Sequence, residues 1–395
     1  MKILHITPAY VPSYKHGGPI KGVHYLNKYL ARLGVDVTVY TTTINGNENL
    51  SVPLETPVMI DGVRVIYFKP SFPRAWSYSR SMHKALSKTA GQFDLIHITS
   101  VFLAASMLGA HYARKFKKPY IISPRGSLMS EPLTSFTRRN RAKKSIYLSL
   151  IEKRNLRAAS IIHFTSDAEQ EEYIAAGLPL ARGVIIPNSF DVEDFDKEAN
   201  SQARGDTFNV PPGAKIVLFL SRLDWKKGFD TLIPAFGEVL KALPNTILVI
   251  AGGDEGGYKK TVISLIERYK IKEHVRFTGM VLGADKINLL KRSAVFVLPS
   301  YSENFGMAVV EAMYSGVPVV ITKGVGIAPD IERAGAGIVV EKNPNAVSSA
   351  IIKVLAGAVS GDMGERGKML VETKFDAMNV AKQMSFVYDG LVHII

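Results

Sequence analysis

The amino-acid sequence predicts an α/β protein built as two doubly wound domains. Three observations predict it. Short apolar runs recur along the chain without the alternation of a half-exposed strand, as strands buried on both faces of a parallel sheet do. Segments of helical period fall between those runs, and a strand–helix–strand order implies right-handed crossovers. The alternation pauses over Asp191 to Gly213, a polar stretch with paired prolines, and resumes at Lys215. At 395 residues the chain exceeds one ordinary core. Residues 1–192 and 193–375 are therefore read as two domains joined by that polar linker, with a further helix over 376–395.

Taken in order, Lys2 to Thr7 is an apolar strand ended by Pro8. Gly17-Gly18-Pro19 leads into a helical pattern from Ile20 to Leu33, closed by Gly34. Strands are expected at Asp36 to Tyr40, Val63 to Phe68, Leu95 to Ile98, Tyr120 to Ile122, Ile161 to Phe164 and Val184 to Ile186. Helices are expected at Leu103 to Phe116 and Arg138 to Ala158. In the second domain the strands read Ile216 to Leu220, Ile247 to Ala251, Val275 to Phe277, Val295 to Leu298, Val317 to Ile321 and Gly337 to Val340. Helical patterns cover Phe229 to Leu243, Tyr258 to Tyr269, Ala284 to Lys291, Gly306 to Tyr314, Ala346 to Ala356 and Asp376 to His393. Ligands of doubly wound sheets bind beyond the carboxyl ends of the strands, so both domains are expected to offer loops to one central cleft.

Composition narrows the classes. Hydrophobic residues make up 47% and charged residues 21%, the balance of a soluble globular protein. The absence of cysteine excludes disulfides, thiolate metal sites and a cysteine nucleophile, and fits a reducing cytoplasm. No run approaches the roughly 20 apolar residues that span a bilayer, and Met1 to Ile6 reads as a strand rather than a signal peptide. A net charge of +14 favours an acidic partner: phosphate, nucleic acid or anionic lipid. Nucleic acid is not expected, because the basic segments lack interleaved aromatics for base stacking.

The densest chemistry lies in Val295 to Pro318. Its strand, tight loop and helix start form an anion site of free N–H groups. Glu303 in the loop and Glu311 in the helix suit hydroxyl donors instead. Glu311 sits among Ala308, Val309, Val310, Ala312 and Met313, an apolar setting in which a carboxylate needs a ligand or a basic partner. Arg222 and Lys227 follow an earlier strand and would hold a diphosphate, Arg bidentately and Lys as a point charge. Each charged loop also reads as an ordinary solvated surface. Gly17-Gly18 would let backbone approach a phosphate or simply turn. Its spacing is not that of a dinucleotide fingerprint. Asp194-Phe195-Asp196 is best explained by helix capping, and no metal site is expected. His97 and His163 end strands and are either bases or satisfied core residues. Arg125, framed by Pro124 and Gly126, is aimed by its turn toward the cleft. Arg138 to Arg157 is the densest basic segment, and its stripe of Ile146, Tyr147, Leu150 and Ile151 faces either the core or anionic lipid.

These motifs resemble the retaining family-4 glycosyltransferases. The residues that carry the likeness are Ser221-Arg222 with Lys226-Lys227-Gly228, Ala251-Gly252-Gly253, Val275 to Gly279, and Pro299-Ser300 through Glu303, Phe305-Gly306, Glu311-Ala312 and Gly316-Val317-Pro318, with the E-x7-E spacing as signature. Gly17-Gly18 and Ile186-Pro187-Asn188 extend it into the first domain. The resemblance implies a GT-B fold, two Rossmann-like domains facing a cleft, with the terminal helix crossing back onto the first. It also implies a metal-independent hexosyltransferase without cofactor, moving sugar from a nucleotide sugar (UDP favoured over GDP) to a saccharide or lipid-linked saccharide. Arg222 and Lys227 would bind the diphosphate, Glu311 the ribose, and Glu303 the donor sugar. Asn304, Phe305 and Gly306 would supply backbone N–H groups, Met280 and Val281 would pack at the base, Gly18 would approach the diphosphate, and Gly17 and Met307 would belong to the same donor site. Arg125 stands where many members carry a histidine, and is placed in the site with its role open. His97 and Ser166 are assigned to the acceptor or sugar side. The setting implied is polysaccharide or exopolysaccharide assembly in the cytoplasm, peripheral at the inner membrane face through residues 138–157. The rival readings are a nucleotide-sugar epimerase of the same fold and a non-catalytic glycan- or lipid-binding protein.

Overall fold

The computed structural model describes residues 1–13, 18–129, 144–202, 208–254, 256–359 and 361–392. The chain divides into two compact units, Met1–Phe190 with Ala377–Ile395, and Asp191–Asp376.

The first unit is built on eight strands: β1 (Lys2–Ile6), β2 (Asp36–Thr42), β3 (Pro57–Ile60), β4 (Val63–Phe68), β5 (Leu95–Thr99), β6 (Tyr120–Ser123), β7 (Ile161–Phe164) and β8 (Gly183–Ile185). They lie in the order β8-β7-β6-β5-β1-β2-β4-β3. Every pairing is parallel except the β3–β4 hairpin, which turns at Asp61-Gly62 with both residues at positive φ. Alternate residues face opposite layers. Ile3, Val37, Leu95, Ile121 and Ile161 join one apolar cluster with α1 (Gly18–Arg32) and the terminal helix. Leu4, Ile6, Ile96, Ile98 and Ile122 join the other, with α2 (Arg80–Thr89) and α3 (Ala104–Lys115). Burial on both faces explains why these strands read as unbroken apolar runs. Two further helices follow, α4 (Lys153–Ala158) and α5 (Asp167–Ala175).

The second unit opens earlier than expected. The presumed linker begins with a helix, α6 (Val192–Ala199), capped by Asp191, whose carboxylate accepts from the Asp194 N–H at 3.0 Å. Asp194 and Asp196 lie inside that helix rather than at its cap. Asp196 accepts instead from the Tyr314 hydroxyl at 3.0 Å, which docks α6 within the second unit. Six strands follow: β9 (Lys215–Leu220), β10 (Thr246–Ala251), β11 (Val275–Gly279), β12 (Val295–Leu298), β13 (Val319–Thr322) and β14 (Gly337–Val340). Their order, β11-β10-β9-β12-β13-β14, is the doubly wound pattern with a switch between β9 and β12. The helices are α7 (Phe229–Ala242), α8 (Lys259–Arg268), α9 (Gly283–Arg292), α10 (Met307–Tyr314), α11 (Ala328–Ala334), α12 (Pro344–Leu355) and α13 (Met363–Leu370). The terminal helix α14 (Ala377–Val392) packs on α1 in the first unit. No helix among the described residues is long and apolar enough to cross a membrane.

Candidate active site

In the second unit the loops after β9 and β12 leave adjacent strands at the switch point and are stitched together. The Tyr301 N–H donates to the Lys226 carbonyl at 2.7 Å, and Glu303 exchanges backbone bonds with Gly324 and Gly326. Gly228 sits in the left-handed region at φ +72°, and a Cβ there would meet the Pro299 carbonyl oxygen at 2.0 Å. Only glycine lets the two loops close this far. The result brings Lys227 and Glu303, 76 residues apart, into a direct ion pair. Lys227 is 9% exposed, so its charge faces Glu303 and little else.

Gly306 caps α10 at φ +100°, so the helix starts one residue later than the sequence suggests, at Met307. One turn on, Glu311 accepts from Lys286 on α9 at 2.7 Å, with both side chains largely enclosed. Lys286 is the basic partner that an apolar setting for Glu311 demanded; in sequence it looks like any solvated helix lysine. Arg222 is exposed on the loop after β9, and Asn304 is half-buried. Phe305 is buried edge-on to Phe375, with ring centres 5.4 Å apart. Met280 is exposed and Val281 half-buried after β11. The structure thus brings the loops of Lys227, Glu303, Asn304, Phe305 and Gly306 together.

The first unit has its own switch point, between β1 and β5. A cavity of about 670 Å³ opens at the carboxyl ends of β1, β5 and β6, lined by Thr7, Ile20, Thr99, Ser100 and Arg125 among others. Arg125 has φ +53°, and its Nη1 donates to Asn188 Oδ1. Asn188 of the Ile186-Pro187-Asn188 motif, 63 residues further along the chain, thus supplies the arginine's partner. Gly126 N–H donates to Glu169 Oε1 at 2.5 Å, and Thr165 donates to Oε2 through both its N–H and its hydroxyl. Burial raises the Glu169 pKa. Nothing in the acidic run around Glu169 marked it in the sequence.

His97 does not reach that cavity. It is fully buried mid-strand, stacked on His5 with ring centres 4.4 Å apart. Its Nδ1 bonds Tyr388 on α14 and its Nε2 bonds Ser123, each at 2.6 Å. Ser123 in turn meets His163, which bonds the Ile186 carbonyl. Burial lowers the pKa of all three rings, His5 to about 4 and His163 to about 3. The placement of His97 on the acceptor side is therefore corrected: both of its nitrogens are spent on fastening α14 and β6. Ser166 is likewise the N-cap of α5, accepting from Glu169 N–H at 3.2 Å. Gly17 lies outside the described residues, Gly18 opens α1, and residues 138–143 of the basic segment also lie outside. Its apolar stripe is divided: Ile146 and Leu150 are 59% and 71% exposed, while Tyr147 and Ile151 are half-buried, Tyr147 against Trp76 and Phe102.

Family models match both units: residues 17–189 fit a glycosyl transferase 4-like domain and residues 204–369 fit glycosyl transferases group 1. The chain belongs to the family-4 glycosyltransferases of GT-B fold. This glycosyltransferase is 27% identical to an uncharacterized glycosyltransferase of Methanocaldococcus jannaschii, over 98% of each chain. It is 25% identical to the D-inositol 3-phosphate glycosyltransferase of Kineococcus radiotolerans, over 85% of this chain and 79% of that one. In structure it is similar to HepE of Anabaena, solved with UDP and glucose, at a TM-score of 0.74 and 20% identity over 99% of this chain and all of the other. The enzyme's class is therefore glycosyl transfer.

Proposed function

We propose that the chain is a retaining, metal-independent hexosyltransferase. Its donor is a nucleoside-diphosphate sugar, UDP favoured over GDP, and its acceptor a saccharide or lipid-linked saccharide of polysaccharide assembly. The observation that carries the reading is the Lys227–Glu303 pair at the second unit's switch point, beside the start of α10. The UDP and glucose held by the Anabaena neighbour support the donor class.

In this reading donor binding divides the pair. Lys227 turns to a diphosphate oxygen, and Glu303 is released to the hydroxyls of the donor sugar. The first N–H groups of α10 point at the same phosphate, as at any helix start. As the glycosidic bond breaks, negative charge grows on the leaving diphosphate. Lys227, Arg222 and those N–H groups stabilise it there, in the manner of an oxyanion hole. Positive charge is thus supplied by side chains, and no metal is required by the scheme. Glu311, steadied by Lys286, accepts from the ribose hydroxyls. The acceptor is held by the first unit and attacks from the face the leaving group departs. Ile146 and Leu150, exposed beside Lys153, Arg154 and Arg157, support a peripheral contact with anionic lipid.

Incubation with UDP-glucose, UDP-N-acetylglucosamine and GDP-mannose tests the proposal. Slow release of the nucleoside diphosphate from a UDP-sugar is expected, and an α-linked product from an α-linked donor. Release from none of them, even with mixed saccharide acceptors, would sink the donor assignment. An inverted product would sink retention, and sugar isomerised without acceptor would point to an epimerase.

A further inference from the structure

The first unit's cavity has an electrostatic peculiarity. Its lining carries two arginines, Arg74 and Arg125, and no carboxylate among the described residues. Arg125 forms no ion pair among those residues. Its one hydrogen bond goes to the neutral Asn188 amide, and its Nε is buried without a partner. Glu169, the carboxylate that acts on it, has both oxygens committed to Gly126 and Thr165. The nearby imidazoles of His5, His97 and His163 bring no negative charge. Burial lowers the Arg125 pKa to about 10, which leaves it a cation at neutral pH. Arg74 donates to Asn49 Oδ1 and to the Gly46 and Glu48 carbonyls, all neutral. A half-buried cation without a counter-ion carries a desolvation cost that an anionic ligand would relieve.

The backbone around the cavity is strained in the same place. Ser100, Phe102 and Arg125 all hold positive φ, at 83°, 63° and 53°, in the loops after β5 and β6. Non-glycine residues persist there only when their surroundings hold them, and such residues cluster at ligand sites. Two buried carboxylates do the holding. Glu152 accepts from the Phe102 N–H at 2.8 Å, and Glu169 accepts from the Gly126 N–H beside Arg125. The remaining walls are mixed: apolar side chains such as Ile20, Val23, Ile44 and Leu103 alternate with neutral polar groups, the Thr7, Ser77, Thr99, Ser100 and Ser127 hydroxyls and the Asn47 amide. A volume of about 670 Å³ falls within the range of small-molecule sites.

We propose that this cavity is an anion-selective acceptor site, in which Arg125, with Arg74, takes a carboxylate or phosphate group carried on a hydroxylated or apolar body. The word acceptor rests on the reading of the first unit given above; the anion selectivity rests on the cavity alone. Glu152 and Glu169 act as positioning residues for the strained loops.

Equilibrium binding to the full chain, by calorimetry with UDP present, tests this with four probes: glucose, glucuronate, glucose 6-phosphate and inorganic phosphate. At least one charged hexose is expected to bind about tenfold or more tightly than glucose. Whether glucuronate or glucose 6-phosphate gains more separates carboxylate from phosphate, and competition by inorganic phosphate confirms the latter. Arg125→Gln is expected to erase the preference and Arg125→Lys to keep part of it. Arg74→Gln, on a half-exposed turn, is expected to reduce it less and serves if Arg125→Gln does not fold. Equal affinity for glucose and both charged hexoses overturns the proposal, as does a preference that survives at both arginines. If no probe binds at about 10 mM while UDP does, the anion site fails and the donor reading stands. If the anionic probes bind and neither UDP nor UDP-glucose does, the donor reading fails instead.

Discussion

The two switch points are alike in topology and opposite in electrostatics. In each unit a doubly wound sheet reverses direction, and two loops leave its carboxyl edge side by side. In the second unit the charges there close on one another, Lys227 with Glu303 and Lys286 with Glu311. In the first unit Arg125 finds only an amide among the described residues, and the neighbouring carboxylates hold backbone. A site with internal pairs can stand empty at little cost and must break a pair to bind. A site with a lone cation is primed for an anion and carries the desolvation cost while it waits.

The comparison breaks most visibly at Lys227. Lys227→Ala is expected to lower kcat by about 10²- to 10³-fold, the usual effect of losing one preorganised donor to a developing charge. The change in melting temperature should be small, since Glu303 is only partly enclosed and can turn to water. Steady-state rates on each accepted donor check this; near wild-type kcat would remove Lys227 from the chemistry. Glu311 and Lys286 give a smaller, sharper effect. Glu311→Ala is expected to weaken UDP binding about tenfold, and adding Lys286→Ala should cost little more, because the lysine acts through the carboxylate. Additive losses in that double-mutant cycle would show two independent contacts.

Acidification should separate the units by stability. His5, His97 and His163 have folded pKa values below the usual 6.5, His5 near 4 and His163 near 3, because burial disfavours the charged ring. The unfolded chain therefore takes up protons that the fold refuses. The stability is intact above about pH 6.5 and is lost as pH falls from there toward 4, by up to about 1.4 kcal/mol per pH unit for each ring. Glu152 and Glu169, raised by burial, oppose this, because the fold keeps protons on them at pH values where the unfolded chain has released them. Hydrogen exchange at pH 7 and 5.5 should show protection in β1, β5 and β7 falling more than in β9 to β14. Equal loss in both units would show that the rings are not the cause.

Much of the fold was legible in sequence because a strand buried on both faces has one signature, an apolar run between turns. Val63 to Phe68, Ile161 to Phe164, Val295 to Leu298 and Gly337 to Val340 stand where that signature placed them. The hairpin strand Pro57–Ile60 escaped it, since its residues alternate between exposed and half-buried at a sheet edge. Its Asp61-Gly62 turn was the readable signal. Helix α5 escaped because its five charged or amide residues hide two buried positions, Glu169 and Tyr173, among solvated ones. The loops around Lys227, Glu303 and Arg125 were legible from glycines, prolines and charges beside apolar runs.

Partner choice was not legible, and the reason is distance along the chain. Lys227 meets Glu303 across 76 residues, Arg125 meets Asn188 across 63, and His97 meets Tyr388 across 291. Local propensity and hydrophobic pattern specify where strands and loops occur, because both act within a few residues. They carry no term for which loops share a switch point; strand order settles that. His97 illustrates the limit. As a polar residue ending an apolar run it reads equally as a base or a core residue, and the packing of α14, at the far end of the chain, makes it a core residue. Arg125 illustrates the converse: its turn was readable, but that it forms no ion pair among the described residues emerged from the assembled sheet.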